Sequence, residues 1–362
     1  MDQASAKAVS NRAGLPVPIV AAVNNELRSR GVLDTQRPSR LTARGAALAA
    51  EVAPVLQFDP TCAGCGGHGV QVPPELIDIV AELEAIAVRA PEADLTLDQS
   101  HSTAATKLRR VLVLARNRVL PADGVLFVGD DDLVSIAFAV VSARLGVPLA
   151  RTLAVVDISR PVLDFIGGEL DALGVSAELV EHDLRDSLPS ALAERFELAV
   201  TDPPYTPAGA GLFLTRAVEG LIPGPGRTVA LSFGPKGPRD ALEVQDELGG
   251  LGLNSLVVLP DFNEYHGASV IGARSTLYLL GTTARTTPTR RGRYAGPLYT
   301  ADARAADRWY LCLECRSRYE VGPDGRWQTI GALKRAGCPN CGSTRFRPLS
   351  LVTESGDWAG GR

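Results

Sequence analysis

Residues 123–132 read DGVLFVGDDD, a short apolar run that ends in one glycine and three carboxylates. Such a run, bounded by turn residues, is typical of a buried strand in a parallel sheet. Strand and helix patterns then alternate as far as about residue 285, which predicts an α/β fold: a doubly wound, parallel, Rossmann-like sheet with helices on both faces. The further predicted strands cover residues 149–158, 175–184, 196–202, 226–234, 255–262 and 275–282, and the clearest helices residues 132–146 and 160–174.

The carboxylates after the first strand indicate what kind of ligand the sheet binds. Ligands of such folds bind at the carboxyl ends of the strands. A dinucleotide site would carry G-x-G-x-x-G there, whereas this chain has Gly129 followed by Asp130, Asp131 and Asp132. Carboxylates repel phosphate, so NAD, FAD and ATP are poor candidates, and a sulfonium nucleoside or an amine fits better. Helix capping is the competing explanation, but one Asp suffices for a cap.

Two later strands also end in acids. Asp157 ends the second strand, at a position where an acidic side chain commonly accepts hydrogen bonds from ribose hydroxyls. Asp183 follows the third strand, where it either holds an adenine amino group or is an ordinary turn carboxylate. The sequence leaves these two interpretations of Asp183 open.

The fourth strand runs into Asp202-Pro203-Pro204-Tyr205-Thr206. The two prolines remove two backbone N–H donors, so carbonyl groups and the Asp202 carboxylate can accept from an amine nucleophile. The ring of Tyr205 offers a face on which a cation can stack. This sequence after this strand is typical of sulfonium-dependent N-alkylating enzymes, and a structural Pro-Pro turn is the alternative.

The segments VGDDDLVSIA, VVDISRPVLDFI, EHDLRDSLP and VTDPPYT together resemble the branched-chain polyamine synthase family, the N4-bis(aminopropyl)spermidine synthases. LDQSHSTAATKLRR resembles the segment before that family's catalytic core, so the likeness covers about residues 95–280. The resemblance implies a class I methyltransferase-like Rossmann fold. It also implies aminopropyl transfer from decarboxylated S-adenosylmethionine to a secondary amine of a polyamine such as spermidine, with methylthioadenosine as the second product.

Residue types and resemblance together give the predicted site. Asp132 is the first candidate for the general base and Asp202 the second, because a carboxylate can orient an ammonium group and take its proton. Asn263, Tyr265 and His266 are expected to border the site. The residues expected to contact donor or substrate are Gln99, Gly129, Asp130, Asp131, Asp157, Asp183, Pro203, Pro204, Tyr205 and Glu264.

Two other functions stay open at this stage. One is a methyl- or aminocarboxypropyltransferase that uses intact S-adenosylmethionine, which an Arg or Lys aimed at the donor's carboxylate would favour. The other is a DNA-binding regulator, whose second helix would have to be more basic than residues 17–31 are. Nucleic acid is therefore an unfavoured partner, and the expected partners are a polyamine and a second copy of the chain in a dimer.

The six cysteines form three Cys-x-x-Cys pairs. Cys312, Cys315, Cys338 and Cys341 have the spacing of a zinc ribbon, in which four thiolates complete a closed tetrahedral site. Cys62 and Cys65 have no second pair nearby, and they could recruit His68, act as a redox pair or be a plain turn.

The distribution of charge and of turn residues suggests the domain organisation. Net charge is +3 over residues 1–58, −7 over 59–100, −6 over 101–285 and +6 over 286–362. We predict a winged-helix-like domain, a linker with an amphipathic helix, the Rossmann-like catalytic domain, a second linker, and a zinc-ribbon module. Their predicted ranges are 1–58, 59–100, 101–285, 286–307 and 308–350. No apolar run is long enough for a membrane span, and the N-terminus lacks a secretory pattern, so a cytoplasmic protein is expected.

Overall fold

The protein was analysed as a computed structural model of all 362 residues. The structure describes residues 5–13, 15, 17–36, 38–51, 62, 64–65, 67–94, 97–234, 237–266, 274–299, 308–322, 326–327 and 330–349. The chain divides into two compact units, residues 1–299 and 300–362.

The first unit is built on a seven-stranded sheet with the strand order β3-β2-β1-β4-β5-β7-β6. The central strands are almost entirely buried because helices cover both faces, as predicted from the sequence. The strands are β1 (Ala122–Val128), β2 (Ala150–Asp157), β3 (Glu178–Glu181), β4 (Leu198–Thr201), β5 (Thr228–Phe233), β6 (Asn254–Glu264) and β7 (Arg274–Gly281).

One strand departs from the predicted parallel sheet. β1 to β5 pair in parallel, but β7 lies antiparallel between β5 and β6. Only nine residues connect β6 to β7, and a parallel pair needs a crossover of a dozen or more residues. The short connection therefore requires an antiparallel pair.

Helices α4 to α9 pack around this sheet. Two of them begin at threonine caps next to the site: Thr103 Oγ1 accepts from Thr106 N at the start of α5, and Thr206 Oγ1 accepts from Gly209 N at the start of α8. Each hydroxyl satisfies one of the free N–H groups of a first helical turn. The helices are α4 (Ile77–Ala87, after a 3₁₀ turn at Pro74–Leu76), α5 (Ala104–Arg116), α6 (Val134–Leu145), α7 (Arg160–Ala172), α8 (Pro207–Gly220) and α9 (Pro238–Gly250).

The N-terminal part consists of α1 (Ala6–Ala13), α2 (Val17–Ser29) and α3 (Ala43–Glu51). A single antiparallel bridge joins Leu33 to Leu41 between the last two helices. Helices and a short hairpin are elements that a winged helix contains, and the assignment as a winged helix stays a prediction. Residues 52–58 of the predicted domain lie outside the described residues.

Residues 286–299 were predicted to be a linker, but they pack against the first unit. Arg216, which is fully buried, donates to the carbonyls of Arg290 and Gly292, and Tyr294 N donates to Arg185 O. The segment ends in the buried Leu298 and Tyr299. A segment rich in Thr, Arg and Gly has the composition of a linker. Here the buried guanidinium of Arg216 holds the segment through the segment's own backbone carbonyls. Residues 300–307 of the predicted linker lie outside the described residues.

The second unit contains a three-stranded antiparallel sheet with the order β10-β8-β9 and one short helix. Its elements are β8 (Arg308–Cys312), β9 (Arg318–Val321), α10 (Ile330–Ala336) and β10 (Phe346–Pro348). Across both units, no helix in the described ranges combines the length and apolarity needed to cross a bilayer.

Candidate active site

A cleft lies at the carboxyl ends of β1, β2 and β4, the edge at which ligands of such sheets bind. Its walls combine apolar side chains with four aspartates. None of the described residues that line it is a Lys or an Arg. The lining residues are Leu97, Asp98, Gln99, Gly129, Asp131, Asp157, Ile158, Leu184, Asp202, Pro204, Phe213 and Tyr299.

The three aspartates of the turn after β1 lie in three different environments. Gly129 and Leu133 both have left-handed backbone conformations, with φ of +69° and +57°. The left-handed region is unfavourable for a branched residue such as Leu133, and such strain clusters at functional sites. Between them, Asp130 accepts from the N–H groups of α6, Asp131 faces the cleft, and Asp132 lies inside the protein.

Asp132 is neutralised from behind by two cations of α5. Its Oδ2 accepts from Arg110 Nη1 at 2.6 Å, and Lys107 Nζ lies 3.5 Å from its Oδ1. The backbone N–H of Ser102 also donates to Oδ1. Burial raises the pKa of Asp132, but Arg110 and Lys107 outweigh it and leave the pKa below its usual value. A carboxylate held in this way is a poor proton acceptor, so the structure argues against the prediction that Asp132 is the general base.

Asp202 keeps one oxygen free. Its Oδ2 accepts from Tyr265 Oη at 2.6 Å and from Arg110 Nη2 at 2.9 Å, whereas its buried Oδ1 has no hydrogen-bond partner. Burial raises the pKa of Asp202 to about 6, although Arg110 opposes that shift. Asp202 lines the cleft, and a pKa near neutrality suits a group that must gain and lose a proton.

The other two predicted acids of the cleft lie beside Asp202. The pKa of Asp131 is raised well above its usual value by burial and by the charges of Asp132, Asp157 and Asp202. Asp157 accepts from the N–H groups of Asp130 and Ser159, and burial raises its pKa as well. Grouped carboxylates with raised pKa values favour the binding of a cation, which relieves their mutual repulsion.

Several predicted contact residues do not reach the cleft. Asp130 caps α6, and burial raises its pKa to about 7. Asp183 accepts from Arg185 N in its own turn and lies 3.1 Å from Arg293, which fits the turn interpretation, and the adenine interpretation stays a prediction. Pro203 and Tyr205 are buried beside the lining residues, and the Tyr205 ring meets the Tyr265 ring edge-on.

Glu264 lies away from the cleft, whereas Gln99 lines it. Glu264 pairs with Arg274 at 3.3 Å and lies 3.6 Å from His68 and 3.9 Å from Arg109, away from the cleft lining. Its prediction as a substrate contact is therefore not supported. Gln99 lines the cleft, although its Oε1 is already bonded to Asp94 N.

Sequence reasoning missed several residues of this site. Arg110 and Lys107 are cations on the apolar face of α5, three positions apart, which is a readable signal because buried cations need buried acids. Tyr299 and Phe213 line the cleft from segments that carry no motif. Asn263 and Tyr265, expected only to border the site, contact Arg110 directly at 2.8 and 3.1 Å.

The four ribbon cysteines converge as predicted. Their sulfur atoms all lie within 4.8 Å of one another, with Cys312 and Cys341 at 3.6 Å and Cys315 and Cys338 at 3.5 Å. Four sulfurs about 2.3 Å from a zinc ion would be about 3.8 Å apart in a tetrahedron. The donor set and its spacing therefore fit zinc.

The third cysteine pair forms no comparable site. Cys62 is exposed, Cys65 half-buried, and His68 Nδ1 bonds to the carbonyl of Phe262 at 3.1 Å. Among the described residues, only the four ribbon cysteines bring three or more metal-binding side chains together. The hypothesis that Cys62 and Cys65 recruit His68 to hold a metal is thus not supported.

Comparison with known proteins identifies relatives over most of the chain. Residues 78–287 match the family model described as the branched-chain polyamine synthase A C-terminal domain. The chain is 31% identical over 347 residues to an uncharacterized protein of Methanocaldococcus jannaschii, covering 95% of this chain and 84% of that protein. It is 30% identical over 257 residues to N(4)-bis(aminopropyl)spermidine synthase of Thermococcus kodakarensis, covering 69% and 70% of the two chains.

A solved structure has the same fold. It is the branched-chain polyamine synthase of Thermus thermophilus in complex with N4-aminopropylspermidine and 5'-methylthioadenosine, with a TM-score of 0.69. The sequence identity is 21%, and the match covers 83% of this chain and 89% of that one. The match supports the methyltransferase-like sheet described above.

Proposed function

This chain belongs to the branched-chain polyamine synthase family, and we propose that it transfers an aminopropyl group from decarboxylated S-adenosylmethionine to a secondary amine of a linear polyamine such as spermidine. One observation carries the proposal: a cleft at the ligand-binding edge of the sheet whose described lining has four aspartates and no cation. Both reactants, a sulfonium with an aminopropyl arm and a polyamine, are multiply cationic, so this charge favours them together.

The same lining favours the decarboxylated donor. Intact S-adenosylmethionine carries a carboxylate, which would lie among Asp131, Asp157 and Asp202 without a Lys or Arg partner. Repulsion between that carboxylate and the three aspartates would raise the free energy of donor binding. The aminopropyl arm of the decarboxylated donor ends in an ammonium group and has no carboxylate, so the aspartates attract it. The apolar residues Ile158, Leu184, Phe213 and Tyr299 offer a surface for the adenine ring, and in this proposal Asp157 accepts hydrogen bonds from the ribose hydroxyls.

Within this proposal Asp202 is the general base and Asp131 holds the ammonium groups of the substrates. The acceptor nitrogen attacks the carbon next to sulfur, a C–N bond forms, and the C–S bond breaks with its electron pair passing to sulfur. Methylthioadenosine leaves as a neutral thioether, so the leaving group needs no acid. The proton of the acceptor nitrogen goes to Asp202 Oδ1, the oxygen without a partner.

The test is incubation with each sulfonium donor and a panel of amines, followed by mass analysis. We expect a product heavier by one or more aminopropyl units with the decarboxylated donor only. Methyl or aminocarboxypropyl products from intact S-adenosylmethionine would establish the alternative transferase, and no product with any amine would refute transfer. The panel has to extend beyond spermidine, because M. jannaschii carries both the uncharacterized relative and a protein named N(4)-bis(aminopropyl)spermidine synthase.

We further propose that the ribbon binds one structural zinc ion through Cys312, Cys315, Cys338 and Cys341. A closed four-thiolate site leaves no position for a substrate, so the ion's contribution is the folding of residues 308–349. Elemental analysis of protein purified without chelator should give one zinc per chain. A value near zero would contradict the proposal.

We also propose that the chain forms a dimer and binds no nucleic acid through α2. Of the side chains that could read DNA, Arg28 of α2 bonds to Asn25, and Arg30, directly after the helix, bonds to Glu26. Light scattering and salt-dependent mobility shifts test both statements. Tight binding of DNA at low salt would favour the regulator instead.

A further inference from the structure

The structure contains a continuous hydrogen-bond network behind Asp202. Arg110 Nε donates to Asn263 Oδ1 at 2.8 Å, and Asn263 Nδ2 lies 2.8 Å from Ser275 Oγ. Ser275 Oγ lies 2.9 Å from Tyr265 Oη, which is 2.6 Å from Asp202 Oδ2. All five side chains are at least nine-tenths buried.

The direction of every bond in this network follows from its two ends, Arg110 and Asp202. A guanidinium can only donate, so the oxygen of Asn263 must face it and the Asn263 amide must donate to Ser275. The ionised Asp202 carboxylate can only accept, so the single hydrogen of Tyr265 Oη goes to Asp202. Ser275 therefore donates its own hydrogen to Tyr265, which also accepts from Arg110 Nη2 at 3.1 Å.

We infer that Asn263, Ser275 and Tyr265 are positioning residues that form a one-way hydrogen-bond chain onto Oδ2 of Asp202, so that Oδ1 alone is presented to the reacting amine. The inference rests on the proposed role of Asp202 as the base. Neither Asn263 nor Ser275 lines the cleft, so they act through Tyr265 rather than on substrate.

Two consequences follow from an oxygen that is held in this way. The carboxylate cannot rotate to exchange its oxygens without breaking the bonds from Tyr265 and Arg110, so Oδ1 remains the oxygen without a partner. A donor aimed at the carboxylate also favours its charged form. It acts together with the other charged and titratable groups that face Asp202: Arg110 lowers its pKa, Asp132 raises it, and Asp131 and Tyr205 interact with it electrostatically.

The decisive variant is Tyr265→Phe, which keeps the ring and removes the last donor. In wild type, the acidic limb of the single-turnover rate should lie near pH 6, because Asp202 must be ionised and its pKa is raised to about 6. In Tyr265→Phe this limb should move upward by about one pH unit, since a hydrogen bond to a charged group is worth about one pKa unit or more. Above the new limb the rate should return to within about threefold of wild type.

Two further variants complete the series. Ser275→Ala removes the hydroxyl that donates to Tyr265. The acidic limb of the pH profile should move upward by less than in Tyr265→Phe, because Arg110 still bonds to Tyr265. Tyr278→Phe removes a half-buried hydroxyl of β7 that bonds to Thr276 rather than to this network, and its profile should match wild type. A rate lowered equally at every pH in Tyr265→Phe would show a merely structural role and overturn the inference.

A direct titration separates this inference from the proposed function. ¹³C NMR of aspartate-labelled protein follows the Asp202 carboxyl carbon without substrate, with Asp202→Asn as the assignment control. The Asp202 pKa should be higher in Tyr265→Phe than in wild type. An unchanged pKa would overturn the one-way chain even if aminopropyl transfer is observed, whereas absence of transfer in wild type would refute the proposed function and leave this titration informative.

Discussion

The acid cluster at the sheet edge has two halves that differ in what lies behind them. The inner half is Asp132, held by Arg110 and Lys107, and the cleft half consists of Asp131, Asp157 and Asp202, with no cation among the described cleft-lining residues. Both halves come from turns after neighbouring strands, and Asp131 and Asp132 are adjacent in the chain. The pKa of Asp132 is nevertheless lowered, while the pKa values of all three acids of the cleft half are raised.

This difference shows how one turn can place adjacent carboxylates in opposite electrostatic environments. Burial alone raises the pKa of any carboxyl group, and nearby cations or hydrogen-bond donors oppose that shift. Arg110 touches both halves, since its Nη1 bonds to Asp132 and its Nη2 to Asp202. It bonds to one oxygen of each aspartate. The other oxygen of Asp132 accepts from Ser102 N and lies near Lys107, whereas the other oxygen of Asp202 has no partner.

The largest effect is expected from Asp202→Asn. The variant keeps the shape of the side chain but removes the proton acceptor, and loss of a general base typically costs about 10²–10⁴ in rate. The dissociation constant of the donor, measured by calorimetry, should change much less than kcat. Near-normal turnover of Asp202→Asn at neutral pH would contradict the assignment of Asp202 as the base.

Asp132→Asn should act mainly on stability. Removing one partner of a buried ion pair leaves the charge of Arg110 less compensated, and such losses cost about 3–5 kcal/mol of unfolding free energy. We expect the low end, about 3 kcal/mol, because Asp202 still bonds to Arg110. Urea denaturation measures this loss. Unchanged stability together with a rate loss as large as that of Asp202→Asn would restore Asp132 as the base and remove the distinction between the halves.

Asp157→Ala tests the cleft half on the donor side. If Asp157 binds the ribose hydroxyls, its loss should weaken donor binding by about 1–3 kcal/mol, the range for hydrogen bonds to a charged group. The same variant should leave the acceptor KM within about twofold. Calorimetry with methylthioadenosine, which has a ribose but no aminopropyl arm, measures the effect of the variant on ribose binding separately from any effect on the arm. Equal affinity of wild type and variant would remove Asp157 from the donor site.

The sequence predicted the fold well and the cluster only in part. Apolar runs and helix patterns located the strands and helices, and strand ends located the acids, because both depend on local periodicity. The direction of each aspartate depends on the backbone turn between Gly129 and Leu133 and on cations 22 to 25 residues earlier in the chain. The predicted linker included Tyr299, because no local sequence pattern shows that Arg216 binds the segment that contains Tyr299.

Glu264→Gln should have the smallest effect and tests where the cluster ends. In a strand, neighbouring side chains point to opposite faces, so Asn263 and Tyr265 reach Arg110 while Glu264 meets His68, Arg109 and Arg274. The Glu264 side chain is 32% exposed, and ion pairs of this kind contribute about 0–1 kcal/mol. Unfolding free energy should therefore fall by no more than about 1 kcal/mol. kcat and the acceptor KM should stay within about twofold of wild type, measured with the same donor and polyamine as for Asp202→Asn. A tenfold rise in acceptor KM with an unchanged melting temperature would instead place Glu264 on the polyamine path and extend the cleft half beyond the residues that line it in this structure.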